Sequence, residues 1–118
     1  MKLSTIKINP EKRYQIFTLS VDPDGNAFRA RVELRYINAN RRWYITIINA
    51  STGECLCRYV PLIASYYGNA LNDLLAPFSH KHIGSMYCIP KIASPSSENP
   101  GLNNLGEFEI VWGDTDDR

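Results

Sequence analysis

Three cysteines and two histidines are the residues of this 118-residue chain that could bind a metal ion or act as nucleophiles. Cys55 and Cys57 are two residues apart, so a β-strand would place them on one face, and His80 and His82 form a similar pair. Thiolates and an imidazole are ligands that zinc accepts, but C-x-C is not its usual spacing. Free cysteine is commonly a small buried hydrophobe. We therefore predict core cysteines, no metal site and no other cofactor.

The sequence also lacks the motifs of common enzyme classes. A Cys–His pair such as Cys88 with His82 would need a third group to orient the base, and no framing motif supplies one. There is no Walker loop for phosphate and no G-x-S-x-G elbow. Asp22 and Asp24 resemble half of a calcium loop, but a β-turn explains them better because the twelve-position pattern is incomplete. We predict that the chain is not an enzyme and has no small-molecule substrate.

Arginine forms the most suggestive polar pattern. Arg29, Arg31 and Arg35 alternate with apolar residues, so a β-strand would project them from one face. Arg, Tyr and Trp are enriched in protein interfaces, whereas a basic groove with stacking aromatics is typical of barrels that bind single-stranded nucleic acid. A solvated strand face is the third interpretation. The candidate interface consists of five arginines, with three aromatic residues nearby: Arg29, Arg31, Arg35, Arg41, Arg42, and Tyr36, Trp43, Tyr44.

The elements that must position these arginines are β-strands. Six segments are β-branched or aromatic, several alternate in polarity, and turn residues or prolines separate most of them. The pattern predicts an all-β, mainly antiparallel fold of six or more strands, either a sandwich or a partly open barrel. Residues 66–76 hold at most one short helix, with an irregular crossover as the alternative. The predicted strands are Tyr14–Val21, Phe28–Tyr36, Arg42–Asn49, Glu54–Val60, His82–Ile89 and Glu107–Trp112.

The length of the chain suits one domain. We predict a single β domain over residues 14–114, in which the Pro-, Ser- and Asn-rich stretch 91–106 is an exposed loop. Residues 1–13 should form an extended arm that stays loose unless something pairs with it, and residues 115–118 a frayed acidic tail. An arm of this kind could add a strand to the sheet of a neighbouring protein.

Charge is distributed unevenly along the chain. Residues 1–60 carry ten Lys/Arg and five Asp/Glu, whereas residues 61–118 carry three and seven. This asymmetry favours complementary contacts, either between copies or within the fold, where Glu107 and Glu109 could pair with the arginine strand. It is too weak to indicate nucleic-acid binding by itself. No apolar run approaches the ~20 residues of a membrane helix, and the N-terminus has no apolar signal region, so we expect folding in a cytoplasm and no membrane contact.

The order of these signals resembles the small baseplate plug proteins of contractile-tailed bacteriophages, as described for a cyanophage baseplate. Four segments carry the resemblance: RVELRYINANRRWYITI (31–47), STGECLCRYVPLIA (51–64), IGSMYCIP (83–90) and NLGEFEIVWGD (104–114). The third turn, Ser51-Thr52-Gly53, departs from the family pattern because it lacks an acidic residue. The residues that match in kind and order are Tyr36, Asn38, Arg41, Trp43, Gly53, Gly84, Leu105 and Gly106.

The resemblance implies a structural protein of the virion. A plug protein would lie in the tail baseplate, after synthesis in the host cytoplasm, and contact tube, hub or spike proteins or further copies of itself. It would have no catalytic residues and bind no nucleic acid. A β-barrel that binds single-stranded nucleic acid through the arginine strand, with Trp43 or Tyr44 as stacking residues, remains the alternative.

Overall fold

The part of the chain that the structure describes contains two antiparallel β-sheets, one of four strands and one of three. The computed structural model describes residues 3–66 and 72–115. The larger sheet has the order β2-β3-β4-β5, and the smaller has the order β1-β7-β6. The strands are β1 (Leu3–Ile6), β2 (Tyr14–Val21), β3 (Phe28–Ile37), β4 (Arg42–Asn49), β5 (Cys55–Pro61), β6 (Ser85–Pro90) and β7 (Phe108–Gly113).

The sandwich prediction is confirmed, since the sheets bury their inner faces against each other and do not close into a barrel. The largest fully buried side chains include an aromatic residue from each sheet, Trp43 and Phe108. Phe28 meets Trp112 edge-on across the core, with ring centroids 6.1 Å apart. Such edge-to-face contacts add to the free energy gained by burial. The remaining large buried residues are Leu34, Ile45, Ile47, Leu62, Leu75, Ile83, Met86, Tyr87, Leu105 and Ile110.

Strand β3 shows how the sequence pattern generates the larger sheet. Ala30, Val32 and Leu34 are fully buried, and their neighbours point to the opposite, outer face. The register of β3 with β2 and with β4 is regular along the strand. Val32, for example, lies between Phe17 of β2 and Ile47 of β4. Strand β4 is an interior strand of this sheet, between β3 and β5.

The Asp73 carboxylate holds the first residues of β6, after the chain crosses from the larger sheet to the smaller one. Asp73 accepts hydrogen bonds at Oδ1 from the backbone N–H groups of Leu75 and Met86, both at 3.0 Å, and at Oδ2 from the Ser85 hydroxyl at 2.7 Å. The Leu74 N–H donates to the Met86 carbonyl at 2.8 Å. These bonds cover the outer edge of β6, so the crossover protects backbone groups that would otherwise lack partners.

The predicted helix near residues 66–76 lies largely outside the described residues, which resume at 72. From there the chain is irregular until a 3₁₀ turn at Ala76–Lys81. Strand β6 begins at Ser85, not at His82 as predicted, because His82 (φ 56°) and Gly84 (φ 84°) have left-handed backbone conformations that an extended strand does not allow.

The segment 91–106 is less exposed than predicted. Pro100 and Leu105 are buried, and the Trp43 indole N–H donates to the Gly101 carbonyl at 2.7 Å. The Asn99 side chain accepts the Ala64 N–H at 2.8 Å. The sequence suggested an exposed loop because its composition is polar, but the side chains of Asn99 and Asn104 accept hydrogen bonds from backbone N–H groups.

The arm finds a pairing partner within the same chain, and the predicted tail lies largely outside the described residues, which end at 115. Residues 3–6 of the arm form β1, which pairs with β7 of the same chain from Leu3↔Gly113 to Ile6↔Ile110. Thr115, the first tail residue, donates its backbone N–H to Asp24 Oδ1 at 2.9 Å, and its hydroxyl also donates to this carboxylate. These hydrogen bonds lower the pKa of Asp24, the hydroxyl having the larger effect.

Replacing Gly84 with alanine should destabilise the fold strongly. A Cβ there would lie 1.9 Å from the Gly113 carbonyl oxygen and 2.7 Å from Pro23 Cβ, and φ is +84°. Gly53→Ala is the matched control, because Gly53 has a similar φ of +78° but a Cβ added there would meet no atom within 4 Å. We expect Gly53→Ala to cost about 1–2 kcal/mol of unfolding free energy from backbone strain, and Gly84→Ala clearly more, by urea denaturation. Equal losses of unfolding free energy in the two variants would contradict the close contact at Gly84.

The Glu107 carboxylate should report on the anchoring of segment 91–106. Its pKa is lowered by hydrogen bonds from Ser96, first from the backbone N–H at 2.6 Å and then from the hydroxyl at 2.7 Å. A lowered folded-state pKa stabilises the fold above the unfolded-state pKa, and this contribution is lost as pH falls through the folded-state pKa. Ser96→Ala should raise the pKa of Glu107 part of the way to normal in an NMR titration. Ser94→Ala should leave it unchanged.

Candidate interaction surface

Four of the five predicted interface arginines lie on one surface, the outer face of the four-stranded sheet. Arg29, Arg31 and Arg35 project from β3 and are exposed, whereas Arg42 projects from β4 and is half-buried. Arg41 lies beside this face, in the turn before β4, with a left-handed φ of 52°. The period of two along a strand places the β3 side chains on the same face once Ala30, Val32 and Leu34 are buried.

Tyrosine and glutamate side chains order the arginines on this surface. The Arg35 guanidinium lies over the Tyr14 ring, 4.5 Å from its centroid. The Tyr14 hydroxyl donates to Glu33 Oε1 at 3.3 Å, and Glu33 Oε2 lies 3.9 Å from Arg31 Nη2. The ion pair is long and partly exposed, so it contributes little stability. The cation–π contact restrains Arg35, which lowers the entropy that the side chain would lose on meeting a partner.

A shallow depression of about 210 Å³ lies in the middle of this surface. Tyr44 and Tyr59 form one wall, with their rings edge to face at a centroid distance of 6.4 Å. Arg35 and Arg58 bring positive charge to its lining, and Glu33 brings a carboxylate. The depression therefore offers aromatic surface, cations and one acceptor together. Its full lining is Tyr14, Glu33, Arg35, Tyr44, Thr46, Ile48, Arg58 and Tyr59.

Irregular pairing between β4 and β5 places Tyr59 at the depression. The register shifts between Ile45 and Ile47, opposite the β5 segment that contains Tyr59. Tyr59 has a left-handed φ of 52°, and its backbone N–H donates to the Thr46 hydroxyl at 3.0 Å. A bulge bends a strand and redirects its side chains. The buried Thr46 side chain thus supports the position of an exposed tyrosine.

The surface is strongly basic and carries exposed apolar residues. Within the four strands β2 to β5, the arginines number five and the acidic residues one, Glu33. Tyr14, Ile16 and Tyr59 are 45%, 43% and 49% exposed. Sequence reasoning missed these three residues and Arg58. The alternation of Tyr14 and Ile16 with inner-facing residues of β2 was a usable signal, but the β5 bulge that positions Tyr59 left no signal in residue spacing.

The predicted pairing of Glu107 and Glu109 with the β3 arginines is wrong. Glu109 lies in β7, which belongs to the smaller sheet and pairs with β1 and β6, and Glu107 lies in the 3₁₀ turn directly before it. Glu107 is bonded to Ser96 instead. Glu33 is consequently the one acidic residue beside the arginines within the strands of their own sheet, and much of the arginine charge faces solvent.

Trp43, one of two aromatic residues proposed for nucleic-acid stacking, does not lie on this surface. It is 1% exposed and points into the core, where its ring meets Tyr36 edge-on at 5.5 Å. Tyr44 does reach the outer face, and its hydroxyl accepts a hydrogen bond from the Asn40 side chain at 2.8 Å. Alternation along β4 separates the two residues, because adjacent strand residues point to opposite faces.

The cysteines and histidines do not form a common cluster. Cys57 and Cys88 are buried, which raises the pKa of each thiol to about 12, whereas Cys55 is half-buried. His80 and His82 are exposed at the end of the 3₁₀ turn. Across residues 3–66 and 72–115, no group of three or more His, Cys, Asp or Glu side chains is arranged to hold a metal ion. No helix within these residues is long and apolar enough to span a membrane.

No protein-family model matches this chain, and no curated protein is significantly similar to it.

Native-state thiol labelling should distinguish Cys55 from the other two cysteines. At mildly alkaline pH the raised pKa values of Cys57 and Cys88 keep these thiols protonated, and burial limits access to them. We expect one fast reaction with an aromatic disulfide reagent, which Cys55→Ser abolishes and Cys88→Ser leaves in place. All three thiols should react after denaturation. Rapid native labelling of Cys88 would contradict its burial.

Proposed function

We propose that this protein is a structural component of the baseplate of a contractile phage tail, a small plug protein that contacts tube, hub or spike proteins. The resemblance of four sequence segments to baseplate plug proteins supplies the biological setting. The observation that carries a binding role is the outer face of the four-stranded sheet, where five arginines and three exposed tyrosine or isoleucine residues lie together. Such a mixture is typical of protein interfaces.

Four of the eight residues that match the family have structural roles in this chain. Gly53 and Gly84 occupy left-handed conformations, Leu105 is buried, and Trp43 holds segment 91–106 through its indole N–H. Residues of this kind support a shared fold and not a shared binding site. The contacts with neighbouring proteins would then depend on surface residues outside the matched set, chiefly Arg29, Arg35 and Tyr59.

The second candidate function is binding of single-stranded nucleic acid. Arg35, Tyr44 and Tyr59 at one depression favour it, because cations and exposed rings are the groups that bind phosphates and stack on bases. Two features favour a protein partner instead. Trp43 is buried away from the face, and Glu33 places a carboxylate among the arginines, where a phosphate backbone would be repelled.

Charge reversal on the outer face should disrupt binding to tail proteins. Arg29→Glu combined with Arg35→Glu should weaken co-purification with tube, hub or spike proteins tenfold or more, because arginines central to an interface often contribute about 2 kcal/mol or more each. Lys12→Glu combined with Lys91→Glu changes net charge equally at exposed sites away from the depression and should have little effect. Circular dichroism would confirm that both variants fold.

Three outcomes would count against this role. If mass spectrometry of purified virions did not detect the protein, a baseplate function would be excluded. Equal loss in the arginine and lysine variants would assign binding to net charge and not to the outer face. Tight single-stranded DNA binding, with an affinity that falls steeply with salt and is lost in the arginine variant, would establish the nucleic-acid alternative.

A further inference from the structure

Strand β2 forms an edge of the larger sheet and has unpaired backbone groups along its length. The Tyr36 N–H donates to the Arg13 carbonyl at 2.8 Å, which identifies Arg13 and Tyr36 as a hydrogen-bonded pair. Because hydrogen-bonded pairs alternate in an antiparallel ladder, the odd-numbered residues of β2 bond to β3. The N–H and C=O groups of Tyr14, Ile16, Thr18 and Ser20 therefore point away from β3. None of them has a backbone partner among the described residues.

The other sheet edges are short, irregular or covered. Strand β1 has four residues, and β5 is interrupted by bulges, the left-handed Tyr59 and Pro61. The outer edge of β6 receives the segment around Ala64, including the Ser65 N–H, and also the Leu74 N–H. These are the means by which proteins prevent edge-to-edge association. Strand β2 has eight residues in regular register and contains no proline, bulge or charged residue.

The side chains of β2 are only half-covered by the fold. Its inner-facing residues, among them Phe17 and Leu19, are half-buried, and its outer-facing residues, among them Tyr14 and Ile16, are exposed. Clefts lie beneath the strand, between it and the stretch from β1 to Asn9. A strand added at this edge would extend the sheet over these clefts and bury apolar surface on both faces.

We infer that β2 pairs antiparallel with β2 of a second copy, with Phe17 opposite Phe17 on the two-fold axis. In this register Ile16 lies opposite Thr18 of the partner copy, and Tyr14 lies opposite its Ser20. All four free N–H groups and all four free C=O groups of each strand then find partners, so none is left over. Because β2 carries no charge, identical strands meet without repulsion, which favours a second copy over a charged partner.

The pairing joins two four-stranded sheets into one of eight strands. A two-fold axis perpendicular to the sheet keeps the outer faces on the same side. The arginine surfaces of both copies then form one continuous face, with Tyr14 and Ile16 near its centre. The pairing depends only on β2 of this chain, so it stands whether or not the protein acts in a baseplate.

Sedimentation equilibrium of the full-length chain over micromolar to millimolar concentrations tests the pairing. We expect a reversible dimer of the 13.4 kDa chain. Ile16→Lys should weaken dimerisation about tenfold or more, because an edge lysine opposes strand addition. Ile92→Lys is the matched control at a similarly exposed isoleucine outside the sheets and should not weaken it. Thr18→Pro should abolish the dimer while leaving the fold intact, because it removes an N–H that β3 does not use.

Oxidative cross-linking tests the register independently of affinity. In a Cys55→Ser background, Phe17→Cys should form an intermolecular disulfide, because opposite residues in a non-hydrogen-bonded pair have Cα atoms about 4.5 Å apart. Leu19→Cys should not form this disulfide, because Leu19 lies four residues along the strand from the position opposite Leu19 of the partner copy. A chain that stays monomeric without Phe17→Cys cross-linking would overturn the inference. So would a dimer insensitive to Ile16→Lys, or protection of the β2 edge only by a different protein.

Discussion

Burial of one face of β3 is the constraint on which the rest of the structure depends. Ala30, Val32 and Leu34 have no exposed surface, and the inner faces of β2 and β4 align with them through a regular register. Since strand residues alternate between faces, the same burial forces Arg29, Arg31 and Arg35 outward. The basic surface is thus a direct consequence of core formation. A slip of one residue in this register would bury the arginines and expose the core.

The strands were predictable wherever polarity or composition was consistent over several residues. Strands β2 and β4 have the predicted bounds, and β3 differs by one residue. The pairing of β1 with β7 was not predictable, because it joins residues far apart in sequence and nothing local in LSTI specifies a partner. Composition likewise identified segment 91–106 as polar, but the bonds made by Trp43 and Asn99 depend on the folded geometry.

The candidate surface was predictable in part for the same reason. Alternation placed the β3 arginines on one face, and this followed from the sequence alone. Tyr59 joins them only because its own backbone is left-handed and its N–H donates a hydrogen bond to Thr46. No spacing rule specifies either feature. The proposed match with Glu107 and Glu109 failed because sheet membership, and not charge, determines which strands are neighbours.

The antiparallel contact between Leu3 and Gly113 imposes an order of assembly on the nascent chain. Hairpins β2–β3, β3–β4 and β4–β5 join residues close in sequence, so they can form early at low loop-closure cost. The smaller sheet cannot be completed until β7 has left the ribosome. Strand β1 must wait unpaired while β2 to β6 are made. The smaller sheet therefore becomes protected from proteases and from wrong partners later than the larger sheet.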